Sequence, residues 1–558
     1  MWKTKKQRKV MVPKGESTAT KWEGGRGSHL TPISPAEEDW IEELEIVPIK
    51  PPYSYSRIIY DNKESEYLYE SWEPYLTERE QNLLDLVKDS LTRTLEYETG
   101  TLGEKDKEEF LKDSIDSFFR SRGMNIDENS RNKIVYYITR DFVGYGPIDV
   151  LMSDPSIEDI SCDGVGVPLF IFHRKYESIK TRDSFEEEDS LNSFVVGLGQ
   201  RCAKQISVAN PILDGTSYEG HRIQATYSRE VTTRGSSFTI RRFKEKPFTP
   251  TELITYNTAS PEMVAYIWLA VENGRSMMIC GGTATGKTAT LNAVAIFIRP
   301  GAKIVSIEDT REINLPHENW IPGTTRSGVG EKGPDGKAAG EIDMFDLVRA
   351  ALRQRPNYII VGEVRGRETY TMFQAMATGH PTMSTMHADS VKSMVNRLEN
   401  PPINTPRILL TALNLVVVQN FARIGSEAEQ VRRVFQIVEL VGFEPETNEL
   451  ITNTVYEWDP ATDSFLYKGH SFLFDELQEM KNMTHEEMDQ EFQRRVDMVN
   501  YMTEKNLDDY RDISRLVVSY YHYPEETIER IRKEMGWDRE EAKPEEIAGG
   551  DLFASREV

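Results

Sequence analysis

The sequence predicts an α/β fold with a mainly parallel sheet, preceded by a mixed α/β domain and a small helical module. Two observations support this prediction. After residue 275, four short apolar runs alternate with helical segments, which is typical of a parallel sheet covered by helices. Before that point, residues 77–143 repeat apolar side chains at helical spacing, and residues 148–243 consist of short runs separated by turn formers.

Length and composition bound the class of protein. With 558 residues, of which 38% are hydrophobic, the chain is long enough for several folded domains. Its 67 Lys and Arg residues against 91 Asp and Glu residues give a net charge of -24, which disfavours broad binding to nucleic acid. The three cysteines, Cys162, Cys202 and Cys280, are too widely spaced for a disulfide framework or a zinc site, so we expect a reducing compartment.

No segment is predicted to cross a membrane. The longest apolar runs, such as residues 408–418, are shorter than the ~20 residues that a spanning helix needs. The basic start of the chain, residues 1–9, is followed by polar residues and not by the apolar stretch of a secretory signal. We therefore expect a cytoplasmic protein.

Changes in composition predict five regions: a disordered or extended tail (1–52), a helical N-terminal module (53–143), a mixed α/β domain (144–243), a linker (244–252), and a domain that carries the chemical motifs and a C-terminal strand and helix extension (253–558). The tail combines basic residues, a Gly/Ser run and prolines. In the helical module, Thr77 is predicted to cap a helix together with Glu80. The linker contains two prolines, Pro247 and Pro250.

Residues 281–288 match the Walker A pattern, in which glycines allow backbone N–H groups to wrap phosphates. An apolar run precedes the match and a helical segment follows it, so the loop lies where a strand gives way to a helix N-terminus. This context disfavours a chance match. Lys287 is predicted to contact the β and γ phosphates and the Thr288 hydroxyl to coordinate magnesium. The predicted nucleotide-binding residues are Gly281, Gly282, Thr283, Ala284, Thr285, Gly286, Lys287, Thr288 and Ala289.

Carboxylates follow two further apolar runs. Residues 303–307 are followed by Glu308 and Asp309, and residues 357–361, which form a Walker B strand, are followed by Gly362 and Glu363. An acidic group there can hold a magnesium-bound water or orient the attacking water, because phosphoanhydride hydrolysis depends mainly on positioning. In isolation, each acidic group would more often be a solvated strand end.

Two histidines, His380 and His387, flank a fourth apolar run at residues 382–386. A single histidine is usually a packed or exposed side chain, but this pair could stabilise a γ phosphate by hydrogen bonding. No third His or Cys follows at zinc spacing, so the only metal that we predict is the magnesium carried by a nucleotide.

Together these motifs resemble the secretion ATPase superfamily of type II secretion, type IV pili and archaella. Its members carry a Walker A loop, an acidic Asp box, a Walker B strand with Gly-Glu, and a His box. The matching residues are 281–288, 307–309, 359–365 and 379–387. The resemblance continues upstream at residues 145–148, 157–160, 220–223 and 237–243, and it covers about residues 75–440.

The resemblance implies a RecA-like P-loop ATPase core that uses ATP and Mg²⁺ and works as a cytoplasmic homo-hexamer. The ring would lie at the inner face of the cell membrane, docked on a polytopic platform protein. Glu308 and Glu363 would be the catalytic carboxylates and would hold magnesium, directly or through water. His380 and His387 would lie near the γ phosphate. Three arginines would be candidates to reach the nucleotide, with a surface salt bridge as the alternative for each: Arg222, Arg241 and Arg242.

Two departures favour the archaeal branch of the superfamily, with its archaellum and pilus motors. No Cys follows Cys280, so the tetracysteine zinc module of bacterial relatives is absent. Residues 435–467 instead resemble strands joined by turns at 446–448 and 459–460, before a helix capped by Thr484 and Glu487.

Two alternatives stay open. A nucleic-acid translocase on the same core is disfavoured by the net charge of -24, although a ring lumen can be basic inside an acidic shell. A nucleotide-gated scaffold would bind ATP without useful turnover, and Glu308 and Glu363 argue against it because a pure binder needs no water-positioning group.

Overall fold

The computed structural model describes residues 40–95, 104–243, 246–326, 328, 337–424, 429–444, 446 and 449–537. The chain divides into two compact units, residues 1–242 and 243–558. Among the described residues, no helix combines the length and the apolarity required to cross a membrane.

The N-terminal unit contains one nine-stranded sheet with the strand order β1-β2-β3-β6-β5-β4-β9-β8-β7. Neighbouring strands are antiparallel, except that β3 and β6 are parallel. The strands are β1 (Ile41–Lys50), β2 (Ser54–Asp61), β3 (Glu66–Trp72), β4 (Ile157–Cys162), β5 (Pro168–His173), β6 (Glu177–Ser184), β7 (Ile212–Thr216), β8 (Arg222–Thr226) and β9 (Ser237–Arg241).

The described residues of this unit also form five α-helices: α1 (Glu78–Leu95), α2 (Glu104–Ser121), α3 (Glu128–Phe142), α4 (Asp149–Ser153) and α5 (Glu188–Arg201). The first three pack around a core that includes Val87, Ile115 and Ile134. The predicted cap at the start of α1 is confirmed, because Thr77 N donates to the Glu80 carboxylate at 2.7 Å and Glu80 N donates to the Thr77 hydroxyl at 3.3 Å.

The structure differs from the prediction at the start of the chain. Residues 1–39 of the predicted tail lie outside the described residues, but its end forms β1, paired with β2. Strands β2 and β3 occupy a segment that was predicted to be helical. Their central residues Ile58, Ile59 and Tyr69 are fully buried, because β3 pairs with β6, more than 100 residues later in the chain. Long-range pairing of this kind overrides local propensity and leaves no local signal.

The C-terminal unit is built on a second nine-stranded sheet, with the order β12-β11-β13-β14-β10-β15-β16-β17-β18. The first six strands in this order are parallel, and the last three add to them in antiparallel fashion. This confirms the predicted RecA-like core with a mainly parallel sheet. The strands are β10 (Met277–Gly281), β11 (Ile304–Glu308), β12 (Trp320–Thr324), β13 (Tyr358–Val361), β14 (Thr382–His387), β15 (Leu415–Ile424), β16 (Glu429–Phe443), β17 (Leu450–Asp459) and β18 (Ser464–Tyr467).

Helices cover both faces of this sheet. They are α6 (Pro250–Thr255), α7 (Pro261–Glu272), α8 (Lys287–Ala295), α9 (Met344–Leu352), α10 (Glu368–Ala377), α11 (Val391–Glu399), α12 (Phe472–Lys481), α13 (His485–Glu504), α14 (Tyr510–His522) and α15 (Pro524–Met535). Successive residues of β10 point to opposite faces, so Ile279 joins one apolar core while Met278 and Cys280 join the other. Burial on both faces explains why the parallel strands are continuous apolar runs.

Two boundaries in this unit bear on the predictions. The predicted linker is shorter than expected, because Pro250 is the first residue of α6 and Thr249 caps that helix in a capping box with Glu252. Proline at a first helical position is compatible with a helix, which the prediction overlooked. The predicted cap by Thr484 and Glu487 is confirmed at the start of α13. Of the predicted turn at 446–448, only Glu446 lies within the described residues.

Candidate active site

The phosphate-loop candidate connects the end of β10 at Gly281 to the start of α8 at Lys287, as the sequence predicted. Ala284 and Gly286 adopt left-handed backbone conformations, with φ of 59° and 93°. Lys287 is buried, and its Nζ donates to Gly282 O at 2.6 Å. Burial lowers the pKa of Lys287, whereas the nearby negative charge of Glu363 opposes this shift.

The parallel register brings the predicted acidic and imidazole groups to the same edge of the sheet as this loop. Gly281 is the register partner of His387 on β14, and β13 and β11 continue the parallel array. Glu308 ends β11, and Glu363 follows β13 by two residues. Because the carboxyl ends of parallel strands share one edge, Lys287, Glu308, Glu363 and His387 converge.

Glu308 is an unusual carboxyl because it is only 2% exposed. Its Oε1 accepts hydrogen bonds from Glu312 N and Ile313 N, both at 2.9 Å, while its Oε2 has no hydrogen-bond partner among the described residues. Burial raises the pKa of Glu308 to about 8, despite the two backbone hydrogen bonds that oppose the shift. A Cβ atom on Gly362 would lie 3.0 Å from Glu308 Cγ, so the glycine of the Gly-Glu pair makes room for this side chain.

Glu363 and His387 form a close pair beside Lys287. His387 Nε2 lies 2.9 Å from Glu363 Oε1, and Arg365 Nε donates to Glu363 Oε2 at 3.0 Å. Burial, followed by the positive charge of Lys287, lowers the pKa of His387. The imidazole is therefore neutral at neutral pH and presents one donor and one acceptor.

The fold does not bring His380 to this site. His380 precedes β14 and His387 ends it, so the six residues of the strand separate them by about 20 Å, at roughly 3.3 Å per residue. His380 Nδ1 lies 3.3 Å from Thr378 Oγ1 at the amino edge of the sheet. The prediction that both histidines lie near one γ phosphate is wrong within a single chain, because a strand carries its two ends to opposite edges.

The three predicted arginines lie on the N-terminal unit, each with partners inside that unit. Arg222 and Arg241 are register partners on β8 and β9, and their side chains are 43% and 61% exposed. Each forms an ion pair at 3.5 Å, Arg222 with Asp214 and Arg241 with Asp159. Arg242 Nη1 donates to a backbone carbonyl at 2.8 Å. Their contact with a nucleotide stays a prediction.

Sequence reasoning missed residues on β15 and β16 that contact the phosphate loop. Gln419 Nε2 donates to Thr285 O at 2.8 Å, and Arg432 Nε donates to Ala284 O at 3.0 Å. The available signal was weak: Gln419 is the first polar residue after the apolar residues 415–418 of β15.

The residues present fit a magnesium–nucleotide ligand. The loop supplies a backbone cradle with a buried lysine, and the buried Glu308 Oε2 without a partner suits a water or a magnesium-bound water, because buried polar atoms rarely stay unsatisfied. Thr288, next to Lys287, would hold the cation together with the phosphates. Within the described part of the chain, no group of three His, Cys, Asp or Glu side chains is arranged to hold a metal by itself. Mg²⁺ bound mainly through phosphates and waters needs no such cluster.

The raised pKa of Glu308 predicts a pH-dependent stability. Between the ordinary pKa of 4.5 and the folded value of about 8, the folded state holds more protons than the unfolded state, so the free energy of unfolding falls as pH rises. The side-chain amide of Glu308→Gln does not titrate, so this variant does not show that fall in the free energy of unfolding. We expect nucleotide-free Glu308→Gln to exceed the wild type in stability by roughly 2 kcal/mol at pH 8.5 and by much less at pH 5. Denaturant titrations at both pH values measure this; a pH-independent difference would contradict the assignment, and exposed Glu318→Gln is the control.

The fold and this site define a P-loop nucleotide-binding protein of the RecA-like class. The chain belongs to the family of type II/IV secretion system proteins, and its residues 219–519 match that family. This confirms the resemblance to the secretion ATPase superfamily that the motifs indicated.

Relatives occur in archaea and bacteria. The chain is 37% identical over 407 residues to the uncharacterized protein MJ0900 of Methanocaldococcus jannaschii, covering 72% of each chain. It is 43% identical over 274 residues to MJ1287 of the same organism, covering 49% of this chain and 98% of that protein. It is 29% identical over 284 residues to the type IV secretion system protein PtlH of Bordetella pertussis, covering 45% of this chain and 80% of PtlH.

Two solved structures are also similar. The pilus retraction motor PilT with bound ADP is 16% identical, with a TM-score of 0.35, and the match covers 67% of this chain and 93% of PilT. The ATPase DotB of Legionella pneumophila is 17% identical, with a TM-score of 0.37, and the match covers 61% of this chain and 92% of DotB.

Proposed function

We propose that this protein is a cytoplasmic ATPase that hydrolyses ATP to drive assembly or rotation of an archaellum or type IV pilus-like filament, or secretion. One observation carries the catalytic part of the proposal: Glu363 and His387 pair beside Lys287 of the phosphate loop, and Glu308 lies against Gly362, the residue before Glu363. Family membership supports the link to secretion or filament assembly.

Each converging group has a role that its surroundings favour. Lys287 balances the charge of the terminal phosphates, and its present acceptor, Gly282 O, is a neutral group that a phosphate oxygen would replace. Glu363 orients the attacking water and accepts its proton. Neutral His387, which lies beside Glu363, donates a hydrogen bond to the γ phosphate. Glu308 holds a further water on its unpaired Oε2. Bound magnesium would neutralise charge that develops on the phosphates.

We further propose that the motor is a homo-hexamer attached peripherally to the membrane through a polytopic platform protein. This part rests on the family resemblance. The exposed Arg222 and Arg241 side chains are proposed to reach a nucleotide at a subunit boundary, since an arginine there would add positive charge near the γ phosphate. The similarity to PtlH of Bordetella pertussis, a type IV secretion system protein, supports this proposal.

Substitution of the lysine tests the proposed site. We expect Lys287→Ala to weaken ATP binding by about 100-fold or more, because the buried ammonium is the loop's principal cation. Equilibrium titration with ATP and Mg²⁺ measures this. The control Lys392→Ala removes an exposed lysine from α11 and should bind like the wild type.

Two results would count against the proposal. If the wild type binds no ATP, or if Lys287→Ala binds as tightly as the wild type, the phosphate loop is not the nucleotide site. If the wild type binds duplex or single-stranded DNA with strong salt dependence and ATP turnover responds to it, the translocase alternative replaces the filament or secretion motor.

A further inference from the structure

The hairpin of β15 and β16 contacts the phosphate loop from the side opposite the catalytic carboxylates. Strand β10 lies between β14 and β15, so the loop that follows it has Glu363 and His387 on one flank and the hairpin on the other. Besides Gln419 and Arg432, Asn420 takes part: its Oδ1 accepts from Gly282 N at 3.4 Å and its Nδ2 donates to Asp389 O at 3.2 Å.

Gln419 makes the most buried of these contacts, being 1% exposed. Its Nε2 donates to Thr285 O at 2.8 Å, in the loop, and its Oε1 accepts from Thr290 Oγ1 at 2.7 Å, on α8. Thr285 and Thr290 are themselves 2% and 1% exposed. One side-chain amide therefore joins the loop to the helix that follows it, and both of its hydrogen bonds are shielded from water, where they are worth most.

The backbone around Gln419 is shaped for this contact. The pairing of β15 with β16 shifts register between Val418 and Gln419, and such irregularities re-aim side chains. A Cβ atom on Gly281 would collide with the Gln419 carbonyl oxygen, and one on Gly286 would lie 3.0 Å from Gln419 Nε2. The approach of Gln419 thus requires glycine at residue 281 and leaves little room for a side chain at residue 286, in addition to any approach of phosphate.

The contact fixes the direction of one peptide group. A trans peptide is planar, and its C=O and N–H point in opposite directions. Because Thr285 O points to Gln419, the N–H of Gly286 in the same peptide points away from β15. That N–H is one of the donors with which a phosphate loop of this pattern surrounds its ligand.

We infer that Gln419 is a positioning residue for nucleotide binding, which holds the Thr285–Gly286 peptide in the orientation that presents its N–H to phosphate. Gln419 acts through the loop and need not touch the nucleotide. The inference rests on the proposed ATP site and adds to it a residue that lies outside all four motifs.

The test compares Gln419→Met with the wild type. Methionine has a similar length but cannot form either hydrogen bond, so we expect the Kd and the KM for ATP to rise about tenfold, while kcat changes by less than about threefold. The matched control is Gln436→Met on β16, which removes a hydrogen bond to Glu457 at 3.1 Å without contact to the loop, and its Kd should equal that of the wild type.

A second variant guards against a folding defect. Thr290→Val removes the hydroxyl that donates to Gln419 Oε1, and we expect it to raise the Kd by about threefold. The double variant should be less impaired than the product of the two single effects, because both remove the same contact. If Gln419 had only a structural role, Gln419→Met would lower the unfolding temperature, and the effects of the two substitutions on the Kd would not be coupled.

The outcomes separate this inference from the proposed function. If the wild type binds ATP and both single variants bind it within twofold of the wild type, Gln419 does not position the loop, although the ATP site stands. If the wild type itself binds no ATP, both the site and this inference fail.

Discussion

Glu363→Gln is expected to retain ATP binding and to lose hydrolysis by a factor of about 100 to 10,000, the range typical for removal of a positioned general base. The substitution preserves the size of the side chain, so its packing against His387 and Arg365 changes little. A neutral amide, however, cannot accept a proton from water. Because Lys287 and the backbone of the loop are unchanged, the Kd for ATP should stay within a few-fold of the wild type.

Steady-state phosphate release and equilibrium ATP titration measure the two halves of this prediction. The control is Glu318→Gln, an exposed glutamate that precedes β12 at the opposite edge of the sheet and should turn over ATP normally. Equal turnover by Glu363→Gln and the wild type would remove Glu363 from the mechanism. A loss of binding equal to the loss of turnover would instead give it a role in holding the nucleotide.

Arg495→Met is expected to destabilise the C-terminal unit by about 3–5 kcal/mol, the usual cost of leaving one partner of a buried ion pair unpaired. The Arg495 side chain is 2% exposed, its Nη2 lies 2.6 Å from Glu272 Oε2, and its Nη1 lies 2.8 Å from Glu491 Oε2. It thereby joins α13 of the C-terminal extension to α7 of the core. Its guanidinium also lies 5.2 Å from the centre of the Tyr520 ring.

Through α7, this ion pair links the extension to the end of α8, the helix that follows the phosphate loop. Trp268 on α7 stacks on Phe297, just after α8, with ring centres 4.5 Å apart, and Tyr521 on α14 donates to Phe297 O at 2.7 Å. Chemical denaturation measures the loss. Arg515→Met is the control, because its side chain is 78% exposed and its pair with Asp512 should contribute less than about 1 kcal/mol.

An unchanged unfolding midpoint in Arg495→Met would show that the extension does not depend on this contact. The double variant Glu272→Gln with Arg495→Met should recover part of the stability, since it leaves no uncompensated charge of Glu272.

The sequence predicted the parts of the site that follow from local order along the chain. The strand, loop and helix around Lys287 and the apolar strands that end near Glu308 and Glu363 each lie within about ten residues, so their spacing carries the signal. Parallel pairing then places the strand ends together, which is why the convergence could be predicted without knowing the strand order. The strand order itself, with β10 between β14 and β15, was not predictable in this way.

Other features depend on contacts between distant residues. Gln419 meets Thr285 and Thr290 across more than 120 residues of chain, and a single polar residue after an apolar run gives no hint of its partner. His380 was misplaced because the prediction neglected the length of β14, which carries the two flanking histidines to opposite edges of the sheet. Similarly, β2 and β3 owe their burial to pairing with β6, which local periodicity does not record.

The location of bound ATP tests the central proposal most directly, and Glu363→Gln is the variant in which it can be captured. A structure of this variant with Mg²⁺ and ATP should show the terminal phosphate between Lys287 Nζ and the cluster of Glu308, residue 363 and His387, with the loop's N–H groups around the phosphates. A triphosphate bound anywhere else on the chain, with this loop empty, would contradict the account.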